Sequence, residues 1–256
     1  MRTFAQTKVL CLKNSDDKRM KILYWIYQLF IAVPLLLVST IFTALITSIG
    51  CLCGMGYIFS YYPAKCWGWF FCRILLLPVK VKGRENIDKH TSYVFVANHQ
   101  GAFDIFLVLG FLGRHFKWML KGSLRHAPLI GRACYDAGYI FVDKSGPKKL
   151  KATIDRARNI LQGGTSLVVF PEGSRSWDGQ MIPFKKGAFQ LADQLQMPVV
   201  PVTISGSYDV YPRWHKGFVR WHRMSLEIHP PILPQGEGPE NIQATMQKAY
   251  DVIKGK

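Results

Sequence analysis

Two side chains five residues apart, His99 and Asp104, carry the simplest acid–base chemistry that the chain offers. They lie in the stretch YVFVANHQGAFD over residues 93–104, where an apolar run ends at Asn98 and His99. A neutral imidazole that gives one N–H to a carboxylate presents its other nitrogen as a base. That is the minimum apparatus for taking a proton from a hydroxyl. Positions five apart lie roughly 140° round a helix, so the pair cannot meet across one regular helix. It meets if His99 sits in a loop, the chain turns at Gly101 and Asp104 begins the next helix. Glycine makes such a turn without steric cost.

The elements that must position this pair follow from the apolar pattern. Residues 93–97 are short, apolar and rich in Val and aromatics, which reads as a buried strand of a parallel or mixed sheet. Open α/β sheets hold ligands beyond the carboxyl ends of their strands, where His99 then lies. A second motif, FPEGSRS over residues 170–176, again follows an apolar run at 166–170 and lowers the odds that His99 is merely structural.

Together these residues resemble the glycerolipid acyltransferases with an H-x4-D motif, and most closely the 1-acylglycerol-3-phosphate (lysophosphatidate) acyltransferases. Asn98-His99 with Asp104 is similar to their first motif and Gly138 to Lys144 to the second. Phe170 to Ser176 is similar to the third, and Val200-Pro201-Val202 to the fourth. The motifs run in the family's order across roughly residues 80–230. Three positions depart from the pattern: Lys144 stands where Arg is usual, Ser174 where Thr is commoner, and Gly101-Ala102 where a Ser is frequent. Only the first bears on chemistry, because lysine is a point charge and arginine a bidentate fork.

The resemblance implies an acyltransferase with an α/β fold, a mixed and largely parallel sheet flanked by helices. It implies acyl transfer from a thioester, acyl-CoA or acyl-carrier protein, to the free hydroxyl of lysophosphatidate, giving phosphatidate. His99 is then the general base and Asp104 fixes its tautomer, and neither cofactor nor metal is needed. Arg175 and Lys144 would hold the acceptor's phosphate, helped by backbone N–H groups around Gly173 and Ser174. Glu172 would shape that loop and orient Arg175, and Lys121 would face substrate. Sister acyltransferases with other acceptors, such as a lysophospholipid, a lyso-ornithine lipid or glycerol 3-phosphate, share these motifs. A non-catalytic membrane adaptor is a reading of another class, against which the intact His99 and Asp104 argue.

Composition points to the same kind of surface. The 256 residues carry 33 Lys and Arg against 16 Asp and Glu, a formal charge of +17, which seeks phosphate-bearing partners. Anionic membrane lipid is favoured over nucleic acid because residues 22–64 contain no Asp, Glu, Lys, Arg or His. As one helix that run would be roughly 65 Å long, about twice a bilayer core, so a single straight span is excluded. It is also far too long for a cleavable signal peptide. Basic residues flank it on both sides (1–21, then Lys65, Arg73, Lys80, Lys82 and Arg84), which favours both flanks on the cytoplasmic face. Two membrane helices with a turn near Ser39-Thr40 are preferred to a re-entrant hairpin. Three regions result: a basic N-terminus (1–21), membrane-anchoring helices (22–78) and an acyltransferase domain (79–256). The localisation expected is a membrane, a bacterial inner membrane by preference, with the site on its cytoplasmic face. The six cysteines show no paired C-x-x-C spacing and read as reduced thiols.

Periodicity supplies the remaining elements. Strands are expected at 79–81, 117–120, 140–142, 198–204 and 225–228, and helices at 105–112, 124–138 with a break at Pro128, 147–162, 188–195 and 241–253. Residues 70–78 read as an amphipathic surface segment. Residues 208–221 interleave Tyr208, Tyr211, Trp214, Phe218 and Trp221 with Arg213, Lys216 and Arg220, and read as an interfacial loop.

Overall fold

The computed structural model describes residues 18–142, 146–161 and 164–255. Seven strands, β1 (Val79–Lys82), β2 (Val94–Ala97), β3 (Phe116–Lys121), β4 (Ile140–Val142), β5 (Ser166–Val169), β6 (Val199–Ser205) and β7 (Met224–Ile228), form one sheet. Their order is β1-β7-β6-β2-β5-β3-β4, and only the β6–β7 pair is antiparallel. This is the mixed, mostly parallel α/β sheet that the family resemblance implied. Parallel strands point their carboxyl ends the same way, so the residues after β2, β5, β3 and β4 leave from one edge.

Every residue of β2 is buried, and the strand feeds two cores by simple alternation. Val94 and Val96 point into the cluster that contains Ala157, Phe189, Leu191 and Ala249, from the helices Gly146–Ile160, Gly187–Gln194 and Pro239–Lys254. Phe95 and Ala97 point into the opposite cluster with Leu107, Leu112 and Cys72. The helices of that second face are Tyr62–Ile74 and Asp104–Phe111, which approach backbone to backbone. A Cβ at Gly68 would lie 2.8 Å from the nitrogen of Gly110, and a Cβ at Gly110 2.5 Å from that of Trp69. Glycine at both positions permits the contact, which seats the helix that begins with Asp104.

The charge-free run differs from its expectation. Instead of two helices turning near Ser39-Thr40, Lys18–Leu52 forms one helix, here α1, long and apolar enough by length and composition to cross a membrane. At 35 residues it is about 52 Å long. Ser39 Oγ and Thr40 Oγ1 donate back to the carbonyl of Leu36 at 2.9 and 2.6 Å, so the two hydroxyls are satisfied inside the helix and mark no turn. Pro34 is accommodated just after a π-helical turn, Gln28–Ala32. The chain then makes two shorter helices, Gly56–Phe59 and Tyr62–Ile74. The second is not confined to the surface: Cys72, Leu75 and Leu77 are buried in the same cluster as Phe95. The five described cysteines are free thiols.

The inner face of α1 touches the body from Tyr24 to Gly50. The hydroxyls of Tyr24 and Tyr27 donate to the carbonyls of Leu75 and Ile74, both at 2.6 Å. Midway, Trp67 Nε1 donates to Thr40 Oγ1 at 3.1 Å. Near the far end the backbone of Gly50 lies against the ring of Phe59, and this half packs on the helix Ile130–Asp136. The outer face is apolar and exposed, from Phe30 (70%) through Phe42 (64%) to Leu52 (69%).

Candidate active site

His99 is the second residue after β2, as the apolar run predicts. Asn98 before it is buried and extends the sheet by side chain: its Nδ2 donates to the carbonyl of Ile204 at 2.9 Å, and its Oδ1 accepts the N–H of Ile204 at 2.7 Å. The loop therefore leaves β2 still fastened to β6. Asp104, fully buried, opens the next helix. Its Oδ2 accepts from three donors, His99 Nδ1 at 2.7 Å and the backbone N–H groups of Gln100 at 2.7 Å and Gly101 at 3.0 Å. A carboxylate oxygen accepting at Nδ1 selects the tautomer with hydrogen on that nitrogen. His99 Nε2 makes no hydrogen bond among the described residues, and the side chain is 14% exposed.

The turn at Gly101 is needed for a different reason from the one expected. Its φ is not positive; the backbone there passes so close to the carbonyl of Ser207 that a Cβ would overlap that oxygen.

The loop after β5 closes over the pair. The ring of Phe170 stacks on His99 with centroids 4.0 Å apart and planes 10° apart, and Trp118 lies behind Phe170 at 5.3 Å. The His99 backbone is gripped on both sides: its N–H donates to Glu172 Oε1 at 2.7 Å, and its carbonyl accepts the N–H of Ser176 at 3.0 Å. Glu172 Oε2 accepts the N–H of Ile182 at 2.8 Å. Among the described residues Glu172 pairs with no arginine, so the expectation that it orients Arg175 is corrected. Both of its oxygens bind main chain, and one of them holds His99. Burial pushes its carboxyl above the ordinary carboxylate range, partly offset by those two N–H groups.

The bases gather at the same edge. Arg175 is half-buried, and its carbonyl accepts Arg213 Nη1 at 2.9 Å; Gly173 and Ser174 are exposed beside it. Lys121 is exposed at the end of β3. Lys144, expected to hold phosphate, lies outside the described residues. Lys185 was not singled out from the sequence, where a Lys-Lys pair before a helix looks merely solvated. Its N–H donates to the carbonyl of Pro171 at 2.9 Å, and its ammonium rests against the backbone of Gly173, in space that a Cβ would fill. Gly173 has φ +74°, and glycine there permits both the conformation and the contact. The edge therefore combines an oriented imidazole with at least three cationic side chains, an arrangement suited to deprotonating a hydroxyl borne by an anionic molecule.

Comparison with known proteins gives concordant results. A family model described as Acyltransferase matches residues 78–205. The 1-acyl-sn-glycerol-3-phosphate acyltransferase alpha of Mus musculus is 33% identical over 167 residues, 65% of this chain and 59% of that protein. The 1-acyl-sn-glycerol-3-phosphate acyltransferase of Saccharomyces cerevisiae is 35% identical over 234 residues, 88% of this chain and 75% of that protein. The chain spans half to three-fifths of the length of the first of the curated relatives it matches. The crystal structure of the 1-acyl-sn-glycerophosphate (LPA) acyltransferase PlsC from Thermotoga maritima superposes with a TM-score of 0.74 at 28% identity, covering 93% of this chain and 95% of that one.

Proposed function

Because the chain belongs to the acyltransferase family, we propose that it acylates the free hydroxyl of lysophosphatidate from an acyl thioester, giving phosphatidate. The observation that carries the chemistry is the 2.7 Å contact between His99 Nδ1 and the buried Asp104 Oδ2, which leaves Nε2 as the only basic nitrogen. The names of the relatives carry the choice of acceptor.

In this reading His99 Nε2 takes the hydroxyl proton as the acceptor oxygen attacks the thioester carbonyl. A C–O bond forms, the tetrahedral intermediate collapses with cleavage of the C–S bond, and the imidazolium returns its proton to the departing thiolate. Free thiol and phosphatidate leave. A positioned base of this kind typically contributes about 10²- to 10⁴-fold. Because the donor is already activated as a thioester, no acyl-enzyme is required. Arg175, Lys185, Lys121 and Lys144 supply positive charge for the acceptor's phosphate, and the donor is acyl-CoA or acyl-carrier protein.

The outer face of α1 lies in the hydrocarbon of a membrane leaflet while its inner face carries the body. The basic flanks of the charge-free run favour the cytoplasmic side for the site. The deciding experiment supplies purified protein with lysophosphatidate and either acyl-CoA or acyl-carrier protein, and follows thiol release and phosphatidate by mass spectrometry. Phosphatidate formed at the rate of thiol release is the expected result. Thiol release without phosphatidate, or none with either donor, refutes the assignment.

A further inference from the structure

Residues 211–223 take no part in the chemistry proposed above; Tyr211 and Val219 pack against the core, and the segment is fastened at both of its sides. Towards the membrane helix, the side chain of Gln28 makes two hydrogen bonds to the backbone of Val219. Nε2 donates to its carbonyl at 2.9 Å, and Oε1 accepts its N–H at 2.8 Å. Gln28 is buried on the inner face of an otherwise largely apolar helix. Trp25 stacks on Phe218 with centroids 5.9 Å apart, and Trp221 Nε1 donates to the carbonyl of Leu76 at 2.9 Å. Towards the catalytic loop, Ala102 N–H donates to the carbonyl of Tyr211 at 3.2 Å, Gly101 bridges to Pro212, and Arg213 reaches the carbonyl of Arg175.

What this segment shows to solvent is aromatic and basic. Trp214 and Trp221 are about half exposed (49% and 54%), and Lys216, Arg220 and Arg223 are exposed beside them. The Arg220 guanidinium lies 5.3 Å from the Trp214 ring centroid. The surface is continuous with the apolar outer face of α1 through Trp25 and Phe218. Indoles are favoured at headgroup level, and a basic residue near an anionic membrane surface gains about fivefold in association.

We propose that residues 214–221 form a docking surface for the anionic phosphate headgroups of a phospholipid bilayer, built as one unit with α1. The proposal rests on the membrane seating of α1 given above. A nucleic acid would find the same bases and rings, but docking it there would press its charge against the adjacent apolar helix face, so the bilayer is the better fit. Because the same segment braces Gly101, Ala102 and Arg175, lipid bound here holds the catalytic loop at headgroup depth, where the phosphate of a lysolipid also lies.

The test is amide hydrogen exchange of the full chain, in vesicles of phosphatidylcholine and in vesicles of phosphatidylcholine with phosphatidylglycerol. The expected result is that amides of residues 214–221 exchange several-fold more slowly when phosphatidylglycerol is present, while α1 is protected equally in both. A Lys216→Ala/Arg220→Ala variant should lose that difference and keep wild-type thiol release in neutral detergent micelles. Equal protection in both vesicles, no protection of the segment, or protection by a single-stranded oligonucleotide but not by vesicles each overturns the proposal. So does a variant that retains the phosphatidylglycerol effect. An error in the acyl-transfer assignment would appear instead as wild-type protein without thiol release, leaving the exchange pattern intact.

Discussion

Glu172 Oε1 accepts the backbone N–H of His99 at 2.7 Å, so the loop after β5 holds the base by its main chain while Asp104 holds it by its ring. Two carboxylates thus fix one histidine, one at its main chain and one at its ring, and Phe170 stacks on the ring's face. Catalysis falls steeply when a base is misplaced by even an ångström.

Glu172→Gln tests the main-chain half of this arrangement. An amide turns one acceptor into an NH₂ that opposes a backbone N–H, either that of His99 or that of Ile182. We expect kcat to fall about tenfold, the equivalent of ~1.4 kcal/mol, with the KM of both substrates nearly unchanged. The pH profile should change too. Burial raises the Glu172 carboxyl above its ordinary 4.5 in the folded chain, so the folded state takes up this proton before the unfolded state does. This group therefore adds stability as pH falls through the raised value, in full below 4.5, and loses it as pH rises. Activity runs the other way, because protonation removes the charge that grips His99. Protonation of Glu172 should add to the acid-side fall of wild-type kcat, and that added component should be missing in Glu172→Gln.

The ring half is tested by His99→Ala and Asp104→Asn. Loss of the base should lower turnover at least ~10²-fold while thermal unfolding stays within a few degrees of wild type. Asp104→Asn can stabilise the wrong tautomer by donating towards Nδ1, so it too should impair kcat. Near-normal thiol release by well-folded His99→Ala would exclude the base assignment.

Much of this site was legible because its parts are local. The spacing of His99 and Asp104, the strand before each motif and the alternation in β2 lie within windows of a few residues, where period and turn chemistry decide structure. What was hidden is tertiary. Lys185 reaches Gly173 across twelve positions, and no pattern in a Lys-Lys pair announces it. Gln28 meets Val219 across 191 positions. The continuity of α1 was illegible for another reason: an apolar run has the same composition whether it folds as one helix or two, and Ser39 and Thr40 satisfy themselves either way. Gly101 was recognised as necessary but on the wrong ground, since close approach of another segment leaves no local trace.

Gln28→Leu separates membrane attachment from loop attachment. The substitution makes α1 more apolar, so the protein should remain in the pellet after an alkaline carbonate wash. The two hydrogen bonds to Val219 disappear, each worth roughly 0.5–1.5 kcal/mol, and residues 211–221 should become more accessible to limited proteolysis. Turnover on vesicles should fall about 3- to 30-fold. Release of wild-type protein by the carbonate wash would show that α1 is not inserted.

The phosphate of the acceptor decides the last prediction. Arg175 and Lys185 come from opposite arms of one loop, and the ammonium of Lys185 is seated over Gly173, two positions before Arg175. A charge-assisted hydrogen bond contributes roughly 1.5–3 kcal/mol, so losing one costs about 10- to 100-fold in kcat/KM. Arg175→Ala and Lys185→Ala should each fall in this range for lysophosphatidate while the donor's KM moves less. Lys185→Arg should recover most of the loss, and Lys144→Arg should be tolerated where Lys144→Ala is not. Gly173→Ala should resemble Lys185→Ala or be worse, because the added Cβ occupies the ammonium's place and φ +74° strains any other residue. A monoacylglycerol acceptor, which has the hydroxyl without the phosphate, should be used poorly by the wild type and no worse by either alanine variant. If the variants lose monoacylglycerol activity to the same degree, the two bases act on the shape of the loop rather than on phosphate. If they raise only the donor's KM, the phosphates they hold are those of the acyl carrier.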